Sequence, residues 1–118
     1  MVKTAGIVDQ LKKSLQGQSD AIRVAFIFGS FARGSETSAS DIDLIVIGSI
    51  TGRELSRLVT PLKEHLAREM NPVTFRADEF RENVKNGDSF TQSVLEEPKI
   101  FLIGDNDELQ ALVGEGAS

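Results

Sequence analysis

Two compact apolar runs, Ala21 to Phe28 and Asp41 to Ile47, constrain this chain more than any other feature, and a glycine closes each of them. The first is rich in valine, isoleucine and phenylalanine and the second in isoleucine, leucine and valine, which suit a pleated surface, so they predict two buried strands. Buried strands need helices to cover them, and the flanking sequence supplies these. Ile7, Val8, Leu11 and Leu15 fall on one face of a helix over 4–16 that Gly17 ends. Leu55, Leu58, Val59, Leu62, Leu66 and Met70 mark a second helix over 52–70, with Pro61 kinking it or resetting its start. Asn71 to Phe75 reads as a third strand, and Pro72 favours an edge or a strand beginning. Two short helices, around 77–85 and 88–96, are separated by Asn86-Gly87; a strand over 99–103 and a helix over 105–113 follow. This order predicts an α/β fold with a small central sheet and flanking helices. The elements do not decide between a parallel and a mixed sheet.

The 118 residues suffice for one domain with its own core, and no repeat or linker divides them. Cysteine is absent, which excludes disulfides, thiolate zinc sites and cysteine nucleophiles and fits a reducing cytoplasm. No apolar run approaches the roughly 20 residues of a membrane span, and Met1-Val2-Lys3-Thr4 opens an amphipathic segment rather than a signal peptide. A cytoplasmic protein without membrane contact is expected. The formal charge is −5 and no basic cluster interrupts it, so bulk nucleic-acid binding is not expected. A site for one nucleotide remains compatible, because a metal can carry the positive charge.

Asp41 and Asp43 stand two apart at the start of the second strand, so both carboxylates project from one face and can share one or two Mg²⁺ ions. Ile42, Leu44 and Val46 point the other way, which predicts an acid side facing a cleft and an apolar side facing core. Upstream, Gly29-Ser30 ends the first strand with a bare backbone and a hydroxyl suited to phosphate oxygens. Phosphoryl and nucleotidyl transfer need positioning and charge neutralisation more than covalent help, and these residues can supply both. Gly29 and Gly34 also satisfy G-x-x-x-x-G, but Ser35-Glu36 stand where a Walker A loop requires Lys and Ser/Thr. His65 flanks the apolar stripe of a charged helix and is expected in solvent. The phenylalanines read as core, with Phe31, beside Ser30, as the exception that could meet a base or a partner.

The stretch Phe28-Gly29-Ser30-Phe31-Ala32-Arg33-Gly34, with Ser40-Asp41-Ile42-Asp43-Leu44-Ile45-Val46 after it, resembles the signature of the DNA polymerase beta-like nucleotidyltransferase superfamily. Within it, the match is to the minimal nucleotidyltransferases, with the core motif over 21–48 and a C-terminal extension over 76–113. Arg68 to Phe75, Glu79-Phe80, Phe90, Val94-Leu95 and Pro98 to Gly104 are similar to a subgroup often fused behind a winged helix-turn-helix domain, so the chain is either a stand-alone relative or numbered from a domain boundary.

The resemblance implies transfer of a nucleoside monophosphate, often AMP from ATP, to a hydroxyl acceptor. It also implies a helical HEPN toxin as partner, neutralised by modification or by binding. By position, Gly29 and Ser30 match the phosphate-binding pair, and Asp41 and Asp43 match the metal-binding, catalytic pair. Arg33 and Ser40 match frequent neighbours on the nucleotide side; Arg33 reads equally as a solvated loop cation. A homo-oligomer is left open.

The pattern breaks at one place. Active members usually add a third carboxylate from the next core strand, which helps hold metal and accepts the attacking hydroxyl's proton. Asn71 occupies that place here, and an amide can ligate a metal but cannot act as a general base near neutral pH. Glu69, Asp78 and Glu79 are the candidates to substitute for it. Two readings therefore stand: a Mg²⁺-dependent nucleotidyltransferase, and a catalytically impaired nucleotide-binding antitoxin or regulatory module.

Overall fold

The computed structural model describes residues 3–29, 32, 41–66 and 68–114. Its helices are α1 (Lys3–Gln16), α2 (Gly52–Leu66), α3 (Ala77–Lys85), α4 (Ser89–Glu96) and α5 (Asn106–Gly114). Its strands are β1 (Ile22–Phe28), β2 (Ile42–Gly48), β3 (Met70–Phe75) and β4 (Ile100–Ile103), in the sheet order β3-β2-β1-β4. β1 is antiparallel to both β2 and β4, whereas β2 and β3 run parallel. The sheet is therefore mixed. The two long apolar runs, β1 and β2, lie side by side at its centre, as their hydrophobicity demands.

Helices cover both faces. On one, Leu11 and Leu15 of α1 and Leu55, Val59 and Leu62 of α2 pack on Ala25, Ile27, Ile42, Leu44 and Val46. On the other, Phe80 of α3, Val94 of α4 and Leu109 and Leu112 of α5 pack on Val24, Phe26, Ile45 and Ile47. The acid-bearing side of β2 is thus polar only at its first residues. Beyond Asp43 that side enters a second core, which narrows the expected cleft to one end of the strand.

Strand parity alone would put Ile22 and Val24 on one face, yet they lie in opposite cores. A bulge at Arg23 explains this: Ile22 pairs with Gly48 and Val24 with Ile47, so one extra residue shifts the alternation. Arg23 is tied down by an ion pair with Glu108 of α5 at 3.0 Å.

The second helix stops at Leu66, four residues short of the sequence expectation, and β3 begins at Met70 rather than Asn71. Met70 lies four positions beyond Leu66 and is buried in the same core, so its spacing imitates a further helical turn. Pairing decides the matter, because Met70 aligns with Ile42 and the Ile42 N–H donates to the Glu69 carbonyl at 3.0 Å. Pro61 neither ends α2 nor resets its start; it sits on the exposed side. Thr51 and Glu54 set that start by reciprocal side-chain-to-backbone bonds of 3.1 Å, a capping box.

α4 matters for the site because it carries Phe90 toward β1 and β3. Its first turn is capped by Asp88, which accepts from the Thr91 N–H at 3.0 Å, and Gln92 anchors it to the Val84 carbonyl at 2.9 Å. At its far end the Lys99 ammonium donates to the carbonyls of Leu95 and Glu97, both at 2.9 Å. Partial burial lowers the Lys99 pKa from its ordinary value, opposed by the Glu97 charge. Pro72 lies on the edge strand β3, and the opposite edge, β4, has four residues.

Candidate functional site

One row across the sheet holds the candidate residues. Phe28 of β1 pairs with Asp43 of β2, and Asp43 pairs with Asn71 of β3, so the three side chains share a face. The row lies where β1 ends and β2 and β3 begin, one residue from Gly29 and two from Asp41. The Asn71 amide nitrogen donates to Asp41 Oδ2 at 3.3 Å and to Asp43 Oδ1 at 3.2 Å. Two carboxylates within hydrogen-bond reach of one nitrogen lie close enough to share a cation. Asp41 and Asn71 are exposed and Asp43 is half-buried, so the cluster is open to solvent. Among the described residues no group of three His, Cys, Asp or Glu converges on one point. The donor set at this place is two carboxylates and an amide.

Gly29 is required there on two counts. Its φ is +80°, in the left-handed region, and a Cβ on it would lie 2.7 Å from Asp43 Oδ2. The chain leaves β1 by pressing bare backbone against the carboxylate. Gly29→Ala is therefore expected to destabilise the fold by about 2 kcal/mol, from left-handed strain and the displaced carboxylate together. Urea unfolding measures the stability, and magnesium titration should show weaker binding in the same variant. Unchanged values for both would mean that the carboxylate has no fixed place.

Ser30, Arg33 and Ser40, with Phe31, lie outside the described residues. In the chain, Ser30 follows Gly29 and Ser40 precedes Asp41, at the two ends of the segment that joins β1 to β2.

None of the acids proposed to replace a third carboxylate is at the cluster. Glu69 reaches the Lys63 ammonium of α2 at 3.9 Å. Asp78 pairs with Arg76 at 3.4 Å, and Glu79 accepts from the Arg76 N–H at 3.2 Å, both beyond the far end of β3. Of the residues named for that position, only Asn71 lies at the cluster. An open depression lined by Asp20, Arg23, Gly48, Arg76 and Asp78 also lies at that far end, away from the acid pair.

The phenylalanines depart from the sequence expectation at one described residue. Phe26 and Phe80 are core, but Phe90 is 44% exposed. Its ring lies edge-on to Phe28 at 5.9 Å and stacks on Phe75 at 6.4 Å. Read with the other phenylalanines as core, Phe90 in fact stands between Ser89 and Thr91 in the first turn of a short helix, and that polar flank is the one signal that sets it apart. His65 is exposed, as expected.

Comparison with known proteins bears on this geometry. The family model described as Polymerase beta, Nucleotidyltransferase matches residues 9–103. A relative from Methanocaldococcus jannaschii, named "putative protein adenylyltransferase", is 32% identical over 94 residues, spanning 80% of this chain and 89% of its own length. Among solved structures, a chain of a toxin-antitoxin complex with AMP-PNP superposes with a TM-score of 0.61 at 16% identity, covering 90% of this chain and 80% of that one. A chain of the complex between tri-AMPylated Shewanella oneidensis HEPN toxin and its MNT antitoxin gives 0.56 at 14% identity, covering 92% and 79%. At such identities the superpositions establish a shared fold.

Proposed function

This chain belongs to the polymerase beta nucleotidyltransferase family, and from that premise we propose that it transfers AMP from ATP, with Mg²⁺, to a hydroxyl acceptor on a helical HEPN-type partner. The observation that carries the reading is the placing of Asp41 and Asp43 about one nitrogen, 3.3 and 3.2 Å away, with the Gly29 backbone held against Asp43. Two carboxylates in a cluster that solvent reaches are a hard donor set of the kind magnesium takes, and the Asn71 amide can turn to add its own oxygen. The residues fit one ion. Held by Asp41 and Asp43, such an ion would supply charge neutralisation to the phosphates.

The remaining work falls to the chain. The acceptor oxygen bonds to the α-phosphorus as the α–β anhydride breaks and pyrophosphate leaves: Asp41 and Asp43 place the α-phosphate; Gly29 and Ser30 receive the departing outer phosphates through N–H and hydroxyl groups; Arg33 and Ser40 complete the nucleotide side. Asn71 accepts no proton, so the acceptor's proton leaves to solvent or to a base on the partner. The partner class follows the complexes named above, and a cytoplasmic setting, where ATP is made, accords with it.

Asn71 also favours a second reading, an antitoxin or regulatory module that binds nucleotide without turnover. Incubation with α-labelled ATP, Mg²⁺ and the cognate partner separates the two. Label is expected on the partner, and none with Asp43→Asn. Binding of ATP·Mg²⁺ with persistent absence of label would leave the second reading; failure to bind any nucleoside triphosphate would remove both.

A further inference from the structure

Beside the acid cluster, β3 and α4 each leave one large apolar side chain exposed. Val73 is 38% exposed and Phe90 is 44% exposed. Val73 follows Asn71 by two residues on the same face of β3, a step of about 7 Å, and pairs with Ile45 in the row next to Asp43. Phe90 reaches over this face from α4. Its ring touches Phe28, the register partner of Asp43, and stacks on Phe75, the register partner of Ile47. The ring is thus bracketed between the row of the acid cluster and the row of Ile47.

A phenylalanine that served only packing would gain by full burial, as Phe26 and Phe80 are buried. Phe90 is instead fixed by two aromatic neighbours while part of its surface remains open. A rigid, half-open ring one step from a polyphosphate site matches a flat ligand joined to phosphates by a single sugar.

We propose that Phe90 and Val73 form the platform on which the base of the nucleotide lies. The inference rests on the reading of Asp41, Asp43 and Asn71 as the site of the metal-bound phosphates, and it adds the residues that hold the other end of the substrate. A ring face accepts every base, so this platform supplies affinity and purine-over-pyrimidine preference through contact area; it does not tell adenine from guanine.

Calorimetry on the intact chain with two probes, ATP·Mg²⁺ and Mg²⁺-tripolyphosphate, tests it. Phe90→Ala is expected to weaken ATP about tenfold and leave tripolyphosphate within about twofold, because only ATP carries a base. Phe90→Trp is expected to keep ATP affinity. Tripolyphosphate binding serves as the check that the alanine variant is folded. An ATP affinity unchanged in Phe90→Ala would overturn the proposal and leave the phosphate site standing. Equal loss for both probes would overturn it too, since the ring would then act on the phosphate site. If the wild-type chain binds neither probe, the phosphate-site reading itself fails and the platform with it.

Discussion

The Asp41→Asn/Asp43→Asn chain is expected to fold normally and to bind ATP·Mg²⁺ at least about 100-fold more weakly than the wild type. The two effects separate because the carboxylates do different work in each state. In the free protein both accept hydrogen bonds from the Asn71 amide at 3.3 and 3.2 Å, and an asparagine oxygen can accept the same bonds. Among the described residues nothing then requires the charge, and removing two like charges from one end of the sheet relieves mutual repulsion. A divalent cation beside a triphosphate does require it, because neutral amides cannot balance the ion. Thermal unfolding without ligand should show a midpoint within a few degrees of wild type, while calorimetry shows the lost affinity. A large fall in stability would assign the pair a structural role instead.

Asn71→Asp acts in the opposite direction. It places a third carboxylate in the row that already holds Asp43, two residues from Asp41. Without metal, two hydrogen bonds are replaced by repulsion among three acids, so the unfolding midpoint is expected to fall by about 5 °C. Magnesium should restore it, with a larger stabilisation than it gives the wild type, because ion binding to the folded state now satisfies three charges. The carboxylate can also take the proton of an attacking hydroxyl, a contribution of about 10²–10⁴ in rate. Label transfer in the presence of the partner should rise accordingly. If metal affinity rises and transfer does not, the base is supplied by the partner, and the family's third acid is dispensable in this chain.

The sequence reading succeeded wherever one physical signal acted alone. Ala21 to Phe28 and Asp41 to Ile47 are central strands because nothing but the middle of a sheet can bury them. The two-residue spacing of Asp41 and Asp43 was enough to put both side chains at the head of β2, where the Asn71 amide meets them. Met70 misled because a residue i+4 from Leu66 satisfies a helix and a buried strand equally, and only pairing with Ile42 separates them. The split of β1 between two cores was invisible, since the extra residue at Arg23 has no compositional mark. Asn71 was placed correctly, but its bridging of both carboxylates depends on the parallel register of β2 and β3. Phe90 was missed for a similar reason: whether a ring is buried or open depends on where a short helix lands.

The two outer strands bear on how such a chain keeps company. β3 carries a proline where an added strand would look for an amide donor, and β4 is four residues long, too short to template another. Sheet extension is therefore a poor route to assembly. A partner would meet side chains rather than a ladder of amides, and its recognition can change by surface substitution while the sheet that holds Asp43 and Asn71 in line stays as it is.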